Sequence, residues 1–237
     1  MAPPSTSKNS SPRPSIATPN SSPPEDPEYP RQLWTIPDPP AVLYYQGDLR
    51  HLLPPSIAIV GTRSATDYGK RWTRRFTETL ARQGFTIISG LAAGIDAEAH
   101  TTCLNLQTPT IAVLGTGIDI PYPRQNKALH DQLAQSHLII SEYPAGTGPD
   151  RRHFPKRNRI VAGLAQATIV TEAGEKSGAL ITARLAKSFG RSVHVLAGSL
   201  DNPNAKGCLQ LIHEGAEIIL GEPELLAKLP TPHKPTP

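Results

Sequence analysis

From Ser56 onward the chain alternates short, continuously apolar runs with longer stretches in which apolar residues recur at helical spacing. The runs are IAIV (57–60), TIIS (86–89), TIAVL (110–114), HLIIS (137–141), TIVT (168–171), SVHVL (192–196) and EIIL (217–220). Strands that stay apolar on both sides of the pleat are covered on both faces, which points to a parallel sheet. In the first intervening segment Tyr68, Trp72, Phe76 and Leu80 recur every four residues, while Arg71, Arg74, Arg75, Glu78 and Arg82 take other positions. That pattern predicts an amphipathic helix lying on the sheet. Strand, helix, strand repeated six times predicts an α/β fold of the Rossmann-like, doubly wound kind: a mostly parallel sheet with helices on both faces.

The ends of the chain lack this pattern. The first 30 residues hold nine prolines and seven serines with almost nothing apolar, too little burial to offset the entropy of ordering. Residues 1–30 are expected to form a disordered tail, 31–228 one domain, and 229–237 a second short tail. Of 24 Lys and Arg against 20 Asp and Glu, the tail holds two cations and three anions, so the remainder stands at +5. A basic folded part favours an anionic partner. Cys103 and Cys208 belong to no CxxC or Cys/His cluster, so they read as buried apolar residues, with no disulfide framework and no metal site. No apolar run is long enough to span a bilayer, and the N-terminus lacks the apolar stretch of a secretory signal; the expected location is the cytoplasm.

In a doubly wound fold, ligands bind beyond the carboxyl ends of the strands, so the residues that follow each strand are the ones to inspect. Here they are small: GTRSATDYG (61–69), GLAAGID (90–96), GTGIDIPYP (115–123) and EAGEKSGALITA (172–183). Glycine lets backbone approach a phosphate, and a helix start offers free amides to an anion. Neither GxGxxG nor GxxxxGK[ST] occurs in the required context, so no dinucleotide or P-loop cofactor is expected. Several phosphates in a row, as in nucleic acid, suit the pattern better. Arg63 and Arg124 fall in these loops, and RRHFPKRNR (151–159) carries five cations and Phe154 in nine residues. Cations interleaved with an aromatic match single-strand binding, although a charge run is also a common solvated face. The candidate DNA contacts are Gly61, Thr62, Arg63, Ser89, Gly90, Gly94, Arg124, Lys156, Arg157, Asn158, Arg159 and Ser177. Arg157, Asn158 and Arg159, at a helix start, are open to a second reading as caps or braces of the sheet.

From Tyr29 to Glu222 the chain resembles the bacterial DNA-processing protein A (DprA/Smf) family. The resemblance rests on PDPPAVLYYQGD, IVGTRSATDYG, ISGLAAGIDAEAH, TIAVLGTGIDIPYPRQN, ISEYPAG, FPKRNRIVAGLA, TEAGEKSGALITA and GCLQLIHEGA, in the family's order. It implies a non-enzymatic protein that binds and protects incoming single-stranded DNA in natural transformation and helps load the RecA recombinase. The resemblance also implies phosphate contacts from Arg63 and Arg124, and a homodimer formed through Leu209, Ile212 and Ile218. Those three residues also fit ordinary packing of an amphipathic helix and a strand. Many family members carry a small helical domain before this one and a winged-helix-like domain after it; here a Pro/Ser tail and the end at Pro237 stand in those places.

The rival enzymatic reading is a Lonely-guy-like nucleoside monophosphate phosphoribohydrolase, a relative on the same superfamily fold. That reading needs a PGGxGTxxE turn supplying a carboxylate. The matching turn here has Glu172 and Glu175 but neither PGG nor GT. A small-molecule carrier on the same fold is the third class, distinguished by binding that is insensitive to salt.

Overall fold

The structure is a computed structural model that describes residues 29–230 and a two-residue strand, β1 (Ser15–Ile16). Most of both expected tails lies outside the described residues. The packed body includes Tyr29, which is buried and whose hydroxyl donates to Pro40 O at 2.6 Å, and at the other end the buried Leu229.

All seven sequence-predicted strands form. They are β3 (Ser56–Val60), β4 (Thr86–Ser89), β5 (Thr110–Leu114), β6 (Leu138–Ser141), β7 (Ala167–Val170), β8 (Ser192–Val195) and β9 (Glu217–Ile218). An unpredicted β2 (Tyr44–Gly47) adds antiparallel to β6, and β1 pairs antiparallel with β2. The sheet order is β1-β2-β6-β5-β4-β3-β7-β8-β9, parallel from β6 to β9. The chain builds outward from β3 to β6, then returns to the other side of β3 with β7. The resulting switch point beside β3 is where a doubly wound sheet opens a crevice at its carboxyl edge.

The helices are α1 (Asp67–Arg82), α2 (Ile95–Leu106), α3 (Lys127–Ser136), α4 (His153–Leu164), α5 (Gly178–Ser188), α6 (Lys206–His213) and α7 (Glu222–Lys228). The central strands are apolar on both sides because two layers cover them. Ile57 and Ile59 of β3 pack with Phe76, Leu80, Ala99 and Leu225 of α1, α2 and α7. Ala58 and Val60, one residue on, pack with Ile160, Leu180 and Leu211 of α4, α5 and α6. A short 3-10 turn, Arg31–Thr35, seats Leu33 on the same side, and Gly163 of α4 leaves the room for it: a Cβ there would lie 2.9 Å from both Leu33 and Ile36.

Helix α1 forms as predicted, but its buried face is rotated. Gly69, Thr73, Phe76, Thr77 and Leu80 point inward, whereas Tyr68 is exposed and Trp72 only partly covered. Both cysteines are buried, and burial pushes each thiol up to about 12. Among the described residues no helix is long and apolar enough to cross a membrane.

Candidate nucleic-acid interface

At the switch point the carboxyl ends of β3, β4 and β7 and the first turns of α4 and α5 enclose a cleft of about 730 Å³. One wall is the loop after β3, with Gly61, Thr62 and Arg63. The floor includes Gly90, Asp96 and Arg157. Arg151, Phe154 and Asn158 come from the start of α4, and Lys176, Ser177 and Gly178 from the turn before α5. These loops converge because parallel strands deliver every following turn to one edge of the sheet.

The free cations at the mouth are Arg63, Arg151 and Lys176, each exposed and without an ion-pair partner among the described residues. The Arg63 guanidinium carbon sits 5.8 Å from the centroid of the Phe154 ring, which lies 5.2 Å from the Tyr122 ring at a 30° tilt. An arginine and two rings therefore line one side, a surface on which a base can stack. Ser177 caps α5, its hydroxyl accepting from Ala179 N at 3.3 Å, which leaves the positive end of that helix beside Lys176.

Seven of the twelve candidate DNA contacts meet in this cleft: Gly61, Thr62, Arg63, Gly90, Arg157, Asn158 and Ser177. The other five do not line it. Arg124 is exposed two residues beyond Tyr122, at the start of a 3-10 turn on the same rim. Ser89 is fully buried and donates to Ile59 O at 2.6 Å. Gly94 takes a φ of +77°, and a side chain there would run into the Thr62 and Arg63 backbone, so it serves the approach of two loops. Lys156 points to Glu142, 3.6 Å away.

Arg159 is 6% exposed and does not line the cleft. It forks onto Glu142, with contacts of 2.6 and 3.1 Å, and its Nε donates to Asp38 O at 2.8 Å. Of the two readings open for this residue, the brace is the one its surroundings match. Arg157 is likewise buried, at 5%, but beneath the cleft. Burial lowers it to about 10, with Asp96 opposing that shift and Arg63 adding to it, so it remains a cation at neutral pH. Asn158 accepts from Arg157 Nε at 3.2 Å and donates to Gly178 O at 3.2 Å, joining α4 to α5.

Sequence reasoning did not single out Arg151, Lys176 or Asp96 as site residues. Each lay inside a quoted block, and only the fold shows that these positions turn toward the crevice. Asp96 is buried, and burial raises its carboxyl above the usual carboxylate range. It accepts from Gly90 N at 3.1 Å and Ala92 N at 3.4 Å.

Glu172, the carboxylate a hydrolase would require, is 2% exposed and does not line the cleft. It accepts from Thr66 N (2.9 Å), Thr66 Oγ1 (2.7 Å) and Asn202 Nδ2 (3.1 Å), pinning the start of α1 to the loop after β8. A side chain at Gly69 would overlap it.

Residues 21–230 match the family DNA recombination-mediator protein A. The protein Smf of Synechocystis is 57% identical over 210 residues, which is 87% of this chain and 53% of the relative, so the chain spans about half of that protein's length. The DNA processing protein DprA of Bacillus subtilis is 43% identical over 204 residues, 86% of this chain and 69% of that one. Among solved structures, DNA processing protein A from Streptococcus pneumoniae aligns with a TM-score of 0.83 at 41% identity, covering 86% of this chain and 72% of that chain. DNA processing protein A from Helicobacter pylori, described as having a unique single-stranded DNA binding mode, aligns with a TM-score of 0.79 at 33% identity, over 84% of this chain and 91% of its own. The molybdenum cofactor binding protein of Rippkaea orientalis, at 17% identity and a TM-score of 0.52, shares the fold alone.

Proposed function

The chain belongs to the DNA recombination-mediator protein A family, and from that membership we propose that it binds single-stranded DNA in the cleft beside β3. In this reading Arg63, Arg151 and Lys176 hold phosphates, the start of α5 offers amides to another, and Phe154 with Tyr122 stacks on a base. The observation that carries the reading is the convergence on one cleft of three cations unpaired among the described residues and two adjacent, mutually tilted rings. Arg124 lies along the same rim and extends the track to a neighbouring phosphate. Phosphate and stacking contacts carry no base identity, so this reading expects binding that is independent of sequence.

The role follows the family: a non-enzymatic cytoplasmic protein that shields incoming DNA in natural transformation and delivers it to the RecA recombinase, acting as a homodimer. Ile218 is 41% exposed on the edge strand β9, with the 75% exposed Leu220 beside it, while Leu209 and Ile212 are half-buried on α6. An edge strand with exposed apolar residues is a surface suited to pairing with a second copy.

The test is a titration of fluorescein-labelled oligo-dT and of a duplex of equal length across a salt series. Preferential binding of the single strand that weakens as salt rises supports the reading. Salt-insensitive binding of a mononucleotide, or release of free base from AMP, replaces it with a carrier or a hydrolase.

A further inference from the structure

Arg157 lies in the middle of the basic run and lines the cleft, yet two of its three guanidinium nitrogens are bonded to protein acceptors. Its Nη1 donates to Gly90 O at 2.7 Å and to Val113 O, and its Nε to Asn158 Oδ1 at 3.2 Å. Gly90 directly follows β4, Val113 lies near the end of β5, and Arg157 itself is on α4. One buried cation therefore ties the carboxyl ends of two central strands to the helix that carries Phe154. Phe154 is three residues earlier, on the same face of α4.

The peptide at Gly90 is held from both sides. Its carbonyl accepts from Arg157, and its N–H donates to the buried Asp96 carboxylate at 3.1 Å. A Cβ on residue 90 would stand 2.5 Å from Arg157 Nη2 and 2.7 Å from Cζ, so the guanidinium lies flat against the glycine and no larger residue fits. These bonds engage Nε and Nη1, two of the three nitrogens that carry the guanidinium's donors. A phosphate that took the same donors would strand the Gly90 and Val113 carbonyls without partners.

We propose that Arg157 is a positioning residue for the DNA cleft: it fixes the β4 and β5 loops and the start of α4 so that Phe154 stands opposite Arg63, and it contacts no phosphate. This rests on the DNA reading above. A lysine keeps the charge but cannot make the planar fork, and an alanine at residue 90 leaves every charge in place while displacing the fork. The two changes therefore separate geometry from charge.

The test uses the full chain with labelled oligo-dT across a salt series, comparing wild type, Arg157→Lys, Gly90→Ala and Arg63→Ala. Amide hydrogen exchange is measured on the same proteins without DNA. Arg157→Lys and Gly90→Ala are each expected to weaken binding about tenfold while the log-log salt slope stays at the wild-type value. Arg63→Ala is expected to weaken binding and make the slope shallower by about 0.7, the contribution of one phosphate on a single strand. Exchange at residues 90–92 and 113–115 should accelerate in both positioning variants. Wild-type affinity in Arg157→Lys, or a slope shallower by one phosphate, overturns the proposal. If the wild type binds no oligonucleotide, the DNA reading fails instead. Unchanged exchange in Arg157→Lys and Gly90→Ala would still refute the positioning role.

Discussion

The Arg63 guanidinium stands 5.8 Å from the centre of the Phe154 ring, so the loop after β3 and the first turn of α4 meet across the cleft. Arg63 has no carboxylate partner among the described residues, and its charge is available to a phosphate. Arg63→Ala is expected to weaken oligo-dT binding by about 1 to 3 kcal/mol, the worth of a charge-assisted contact, with the fold intact by circular dichroism. Arg124→Ala, on the rim outside the cleft lining, is expected to cost less than Arg63→Ala.

Phe154 contributes a stacking face and no charge. Phe154→Leu keeps apolar volume against Gly115 and Tyr122 but removes the ring. The expected result is a loss of about 1 to 3 kcal/mol in binding at every salt concentration, with an unchanged salt slope. Equal affinity in variant and wild type would assign the ring to packing alone.

Glu142→Ala strips the buried Arg159 of its fork partner, a contact of 2.6 Å between side chains that are 7% and 16% exposed. The variant leaves Asp38, 3.0 Å from Nε, as the remaining counter-charge, and loss of the charge-assisted fork is expected to cost about 2 kcal/mol in urea unfolding. DNA affinity of the folded variant should remain within about twofold of wild type, since the pair lies outside the cleft.

His100 is fully buried. Its Nδ1 donates to Thr110 Oγ1 at 2.8 Å, because that hydroxyl spends its own proton on Ile87 O at 2.8 Å. Burial lowers its pKa from 6.5 to about 3, with His137 and Arg157 adding to the shift. Between pH 6.5 and 3 the unfolded histidine holds a proton that the folded one does not, so stability falls as pH drops through that window, by up to about 1.4 kcal/mol per unit. His51 and His137, also lowered by burial, act in the same direction. Urea midpoints at pH 7 and pH 4.5 should differ less in His100→Asn than in wild type by one proton's worth.

Ile218→Lys places a charge on the exposed edge of β9, where the proposed dimer forms. Sedimentation of the variant should report a monomer at concentrations where wild type is a dimer. A wild type that sediments as a monomer throughout would remove the dimer from the account.

The central strands were legible because two helical layers make both sides of each strand apolar, as the alternation of Ile57 and Ile59 with Ala58 and Val60 between the layers illustrates. Strand β2 was not, since YYQG is short, half-exposed and preceded by a Pro-rich stretch, and it forms only by adding antiparallel to β6. The run EIIL was read as four strand residues, yet only Glu217 and Ile218 pair, at an edge where Leu220 turns out to solvent. Arg63 could be placed from sequence because the carboxyl-edge rule locates loops. The roles of Arg157 and Arg159 could not, because charge alone carries no direction: Asp38 and Glu142 lie 121 and 17 residues from Arg159, and only the fold brings them within reach. Glycine was equally ambiguous, since Gly61 and Gly94 make room for neighbouring protein atoms.

The most direct measurement is fluorescence anisotropy of labelled oligo-dT and matched duplex with the purified protein over a range of salt concentrations. The account predicts tighter binding of the single strand and a linear fall of log affinity with log salt, at about 0.7 per phosphate held. Failure of the single strand to bind even in dilute buffer, or affinity indifferent to salt, would contradict it.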